Sequence, residues 1–164
     1  MRLLLPLLFA LLLGACGGDN PAAKLNTGDV APAFSAGALD GQVRDFPAAF
    51  AGQPLVIRFW ADWCKFCEGE MKAIERVYQR RQAQGLKVLA INAGQDKATV
   101  QAFIKKIGVS YPALLDEQSA IARRYGVVGL PTTYFVDAKG VVRAKIVGEA
   151  DEATFERLAM ELLQ

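Results

Sequence analysis

A run of β-branched and aromatic residues, PLVIRFW at 54–60, is followed by ADWCKFCEGEM at 61–71 and then by apolar residues at helical spacing. The order of strand, short cysteine-bearing turn and helix constrains the chain more than any other feature. The first segment is apolar at nearly every position, the pattern of a strand buried on both faces of a sheet. Met71, Ile74, Val77 and Tyr78 then share one face of a helix expected over Glu68 to Gln84, with Gly85 as its C-cap. That helix begins at the pair Cys64 and Cys67.

The alternation continues. LKVLAIN at 86–92 predicts a second buried strand, and Asp96 can cap a helix whose Val100, Phe103, Ile104 and Ile107 form one stripe before Gly108. A shorter helix is expected over 117–125, stopped by Gly126. TTYFVD and VVRAKIVG predict two strands joined by a turn at Ala138-Lys139-Gly140, and a last helix runs from Glu152 to Leu163. Upstream, Asp40-Gly41 within FSAGALDGQVRDF marks a tight hairpin. A βαβα unit followed by ββα predicts an α/β domain: a central mixed β-sheet flanked by helices on both faces, with an N-terminal β-hairpin extension.

The 164 residues suffice for one domain with a substantial core, and a formal charge of +2 gives no field that argues for nucleic acid. The absence of histidine removes Ser-His-Asp and Cys-His nucleophiles and His-ligated zinc together. Residues 1–15 have the layout of a secretory signal peptide: Arg2, an apolar core from Leu3 to Leu13, then Gly14 and Ala15. Leu13-Gly14-Ala15-Cys16 resembles the bacterial lipobox, so Cys16 is expected to be acylated and to hold the chain on a membrane. Residues 16–27 are polar with Gly and Pro and predict a flexible tether, leaving 28–164 as the folded domain. Export places Cys64 and Cys67 where disulfides form and persist.

Two cysteines at this spacing have three uses. Zinc needs four ligands and the mature chain supplies one pair, so no metal is expected. A structural bridge between residues three apart closes a loop too small to remove much unfolded-state entropy. Electron exchange has a mechanism, because unsatisfied N–H groups and the dipole of a helix N-terminus favour a thiolate at Cys64, and Lys65 adds a positive charge. Cys67, one turn further in, is placed to attack a mixed disulfide formed at Cys64.

FWADWCKFC, followed at a distance by GVVGLPTTYFVD, resembles the thioredoxin fold. With GDVAPAF and LDGQVRDF, the chain over about residues 28–164 looks like the TlpA- and ResA-like, AhpC/TSA-related branch of membrane-tethered thiol–disulfide oxidoreductases. The resemblance implies that Cys64 is the exposed nucleophile and Cys67 the resolving thiol, forming a redox-active disulfide with no cofactor. It implies that Pro131 is cis and faces the pair, with Leu130 offering its backbone to bound substrate. It implies a protein disulfide substrate, often in cytochrome c maturation, a membrane thiol electron donor of the DsbD/CcdA type, and a monomer on the periplasmic side of a membrane.

Glu70 stands where ResA-like members carry an acidic residue, either as a proton handler for Cys67 or as a solvated charge suited to the helix dipole. Two positions depart from the pattern. Arg58 replaces the buried Asp or Asn of relatives, and an unpaired buried guanidinium is costly, so it is expected either to pair with a carboxylate such as Glu70 or to reach the surface. Lys65-Phe66 replaces the usual dipeptide between the cysteines, and Lys65 should make the couple more oxidising by stabilising the reduced form. The leading expectation is a disulfide reductase. The alternatives are a net oxidant, a thiol peroxidase, which Ala61 opposes because peroxiredoxins carry Thr there, and a non-catalytic or copper-binding module using the thiolates and Met71.

Overall fold

The computed structural model describes residues 24–164, so the signal segment and Cys16 lie outside the described residues. A hairpin comes first, β1 (Phe34–Gly37) against β2 (Val43–Phe46). The Asp40 carboxylate accepts from the Gln42 N–H at 3.0 Å in its turn, where Gly41 takes a φ of 82°. Then follow β3 (Leu55–Trp60), α1 (Cys67–Arg81), β4 (Lys87–Ala93), α2 (Lys97–Ile107), β5 (Ala113–Asp116), α3 (Ala120–Arg124), β6 (Thr132–Val136), β7 (Val142–Val147) and α4 (Glu152–Leu162).

The main sheet has the order β5-β4-β3-β6-β7. β3, β4 and β5 are parallel, while β6 and β7 are antiparallel to their neighbours, giving a mixed sheet. The central strand β3 is buried at all six positions. Its pleat sends Leu55, Ile57 and Phe59 to one face, where they join Tyr125, Tyr134 and the hairpin residues Phe34 and Phe46. Val56 and Trp60 point to the other face, among Met71, Ile74 and Val77 of α1, Phe103 of α2 and Phe155 of α4. Each such side chain contributes about 1.5–3 kcal/mol on burial, so the two half-cores clamp β3 from both sides.

Four details differ from the expectation. The short β5 extends the parallel half of the sheet; at four residues after Pro112, with a single buried pair Ala113-Leu114 at its start, it is too brief for a periodicity reading. α1 starts one residue earlier, at Cys67, and ends at Arg81 in a 3₁₀ turn over 82–84 closed by Gly85 at φ 100°. α3 begins only at Ala120, because Ser119 adopts a left-handed φ of 52° and breaks the run. Finally, the packed chain reaches back into the tether region: Leu25 is buried in the core, and the Gly28 N–H donates to the Val142 carbonyl at 2.8 Å.

The buried Asp116 carboxylate accepts from the N–H groups of Ile121 at 3.1 Å and Ala122 at 2.8 Å, capping α3 from the end of β5. Asp116→Ala is expected to destabilise the domain by about 1–2 kcal/mol, read as a lower urea midpoint at unchanged slope, with Asp116→Asn losing less.

Candidate active site

β3 delivers the chain to the C-terminal end of the sheet's central strand, and residues 61–66 turn it into α1. In the turn the Cys64 N–H donates to Ala61 O at 3.3 Å and the Cys67 N–H to Cys64 O at 3.0 Å. A side-chain link holds the turn to the next loop: the Asp62 N–H donates to Gln95 Oε1 at 2.9 Å, and the same oxygen accepts from Asn92 Nδ2 at the end of β4. Cys64 and Cys67 are joined by a disulfide, with Cα atoms 5.4 Å apart.

The two sulfurs are unequal. Cys67 opens α1 and is fully buried, whereas Cys64 lies in the turn before it with 6% exposure. Cys64 is therefore the more accessible of the two but is far from an open surface residue, because Trp60 and Met71 share its cluster. The N-cap residue Phe66 makes no side-chain cap bond, so no side chain competes with Cys64, which precedes the helix, for the field of the α1 N-terminus.

Beneath the pair lies a buried charge cluster. Arg58 is 0% exposed on β3 and does not reach the surface. Its Nη1 donates to Glu70 Oε1 and to Thr133 Oγ1, each at 2.8 Å. The register explains this meeting: Arg58 and Thr133 are direct partners across β3 and β6, so their side chains share a face, and Glu70 comes down from α1 onto it. Arg58 Nε and Nη2, Glu70 Oε2 and Trp60 Nε1 have no hydrogen-bond partner among the described residues. Tyr111, whose hydroxyl donates to Met71 O at 2.9 Å, lies close enough that burial raises its phenol while Arg58 partly offsets the rise.

Of the other expected site residues, Leu130 packs against the cluster that holds both cysteines. The Leu130–Pro131 peptide is cis, as is Phe46–Pro47, which the sequence pattern did not flag. Leu130 packs against both half-cores, and Pro131 O accepts from the Gly148 N–H at 2.8 Å. Lys65 is exposed, with its ammonium 5.4 Å from the Phe66 ring centroid. Glu68 in the first turn of α1 is held down to about 2 by hydrogen bonds from Lys106 and Lys72. Trp63 is 71% exposed and Val128 91%, and the two flank a shallow cavity of about 260 Å³ that ends at Leu130. Met71 is wholly buried in the core, and Ala61, also buried, brings no hydroxyl to the cysteines. Thr133, bonded to Arg58, and Gln95, bonded to the cysteine turn, are residues the motifs did not indicate; Thr133 follows from the β3–β6 register, which pairs it with Arg58.

A CxxC disulfide at the strand–helix junction of this sheet, with one cysteine slightly exposed and the other wholly enclosed, defines a thiol–disulfide oxidoreductase of thioredoxin-like fold. Residues 27–145 match the AhpC/TSA family. The chain is 36% identical over 121 residues to the thiol–disulfide oxidoreductase ResA of Geobacillus thermodenitrificans, covering 74% of this chain and 69% of that protein. Among solved structures it resembles a thiol:disulfide interchange protein of the thioredoxin family from Chlorobium tepidum, with TM-score 0.75, 26% identity, and 85% and 99% of the two chains covered. It also resembles a secreted Mycobacterium tuberculosis disulfide oxidoreductase homologous to E. coli DsbE, with TM-score 0.71, 25% identity, and 79% and 96% covered. The chain belongs to the AhpC/TSA family, as a ResA-like thiol–disulfide oxidoreductase.

Removing one member of the buried ion pair strands the other in a low-dielectric core. Arg58→Met is expected to cost about 3–5 kcal/mol, and the double variant Arg58→Met/Glu70→Leu to recover most of that loss. Urea unfolding of the two singles and the double checks the coupling, which additive losses would contradict.

Proposed function

We propose that this oxidoreductase reduces disulfides of exported proteins from a lipid anchor at Cys16, on the periplasmic side of a membrane, in the manner of the reductases that serve cytochrome c maturation. The observation that carries the chemistry is the inequality of the two sulfurs, since a dithiol exchanger needs one thiol that substrate can reach and one that waits. In the reduced enzyme the Cys64 thiolate attacks one sulfur of the substrate disulfide, forming a mixed disulfide and expelling the other substrate sulfur as a thiolate. Cys67 gives up its proton and attacks Cys64, closing the Cys64–Cys67 disulfide and releasing the second substrate thiolate. The substrate has then gained two electrons and takes up two protons. A membrane thiol donor of the DsbD/CcdA type returns the two electrons to the enzyme, which works as a monomer without metal or cofactor.

Glu70 handles the Cys67 proton in this scheme. Its Oε1 is committed to Arg58, its Oε2 has no partner, and the i, i+3 relation puts the carboxylate one turn from Cys67 on the same helix face. Leu130 and Pro131 position the substrate backbone beside Cys64. Arg58 favours the thiolate as a buried cation, and Lys65 acts in the same direction from outside. Lys65 is also what favours the second reading, a net oxidant, because stabilising the thiolate stabilises the reduced form.

Cys64→Ser is expected to abolish turnover of an insulin disulfide, and Cys67→Ser to accumulate mixed disulfides with substrate. Trapping the thiols in living cells decides the direction: a mostly reduced pair supports the reductase, a mostly oxidised pair the oxidant. Loss of a cation raises a thiol pKa, so Arg58→Met should slow exchange at neutral pH and leave it nearly unchanged at alkaline pH, where the thiol is already ionised. Equal pH–rate profiles for this variant and wild type would remove Arg58 from the mechanism.

A further inference from the structure

We propose that a second subsite, beyond the disulfide on the β7 side, selects substrate segments in which an apolar residue is flanked by acidic ones. The inference rests on the reading of the chain as an oxidoreductase of protein disulfides and names the class of segment it takes.

A groove of about 520 Å³ lies there, walled by Val127, Val128 and Val147 and rimmed by Lys24, Arg123 and Lys145; among the described residues no acidic one lines it. It shares Arg123, Val127 and Val128 with the cavity that ends at Leu130 and Trp63, so a chain bound at the cysteines can continue into it. Val128 and Val147 are 91% and 56% exposed, β-branched surface that the fold itself does not bury.

The backbone of this edge is also available. β7 is the last strand of the sheet, and the bond from the Gly148 N–H to Pro131 O fixes the phase of its ladder. In an antiparallel pair the bonded positions alternate, so Lys145 and Val147 turn their backbone groups away from β6. Neither has a backbone partner on that side among the described residues. The upstream part of the same edge is already used in this way: Val142 donates to Asp29 O at 2.9 Å and accepts from Gly28 N–H at 2.8 Å. An extended segment of another protein can continue this pairing, with one apolar side chain against the valines.

The charge of the rim specifies the flanking residues. Lys145 Nζ is 3.3 Å from Leu25 O and 5.0 Å from the Tyr134 ring centroid, which holds the ammonium at the groove. Burial, and secondarily repulsion from the neighbouring Lys24, lower its pKa. A carboxylate between them relieves that repulsion, whereas a lysine adds to it.

The test uses the full chain with a small dithiol as reductant and two disulfide peptides that differ only in carrying Leu-Asp-Asp or Leu-Lys-Lys next to the cysteine. The acidic peptide is expected to have a KM roughly tenfold lower at low salt with similar kcat, the difference shrinking as salt rises. Lys24→Glu/Lys145→Glu is expected to reverse the preference. Equal KM values for the two peptides overturn the subsite and leave the oxidoreductase reading intact. Equal KM values together with sedimentation on phosphatidylglycerol vesicles that the double variant loses assign the rim to a membrane surface instead. If neither peptide is turned over, the oxidoreductase reading fails and the subsite with it.

Discussion

The ion pair between Arg58 and Glu70 is the contact on which the site's geometry depends. It joins β3, which leads into the cysteine turn, to α1, which starts at Cys67, and through Thr133 it adds β6, which starts just after Pro131. A buried pair of this kind gives little net stability, since desolvation offsets most of the Coulombic gain. Its contribution is geometric: three elements must meet within hydrogen-bond distance for neither charge to be left alone, and those three carry the cysteines and the cis proline.

Such a cluster survives only inside a rigid apolar frame. β3 has no exposed residue, and the pleat assigns its odd positions to the aromatic half-core under the hairpin and α3 and its even positions to the half-core under α1, α2 and α4. Arg58 falls on the second face between Val56 and Trp60, where hydrophobic neighbours on both sides exclude water. The same exclusion encloses Cys67 while Cys64, three residues earlier and outside the helix, keeps an approach to solvent. The inequality of the sulfurs thus follows from where the helix begins.

The strand, turn and helix around CxxC were legible because their periodicities are long and unambiguous, and so were the hairpin and the caps at Asp96 and Gly108, which are local signals. The Arg58–Glu70 partnership could be anticipated from the cost of an unpaired buried cation, an argument that needs no coordinates. What escaped has a common physical character. β5 is short and held by parallel pairing with β4, Thr133 enters through cross-strand register, and Leu25 is buried by contacts with a strand more than a hundred residues away. All three depend on nonlocal pairing, which leaves no period in the sequence.

Electron transfer and substrate selection are carried by different parts of this molecule. The affinity of the sulfurs for electrons depends on charges close to them: the N–H groups opening α1, Arg58 beneath and Lys65 beside. Recognition falls to the rim, where Trp63, Val128 and Val147 are exposed and the cations Lys24, Arg123 and Lys145 border the groove. Solvent screens the rim charges from the sulfurs, whereas the enclosed Arg58 is hardly screened at all. Rim residues can therefore change with little effect on the redox couple. A fold that separates the two in this way can keep one exchange chemistry while its edge adapts to the charge of the proteins it serves.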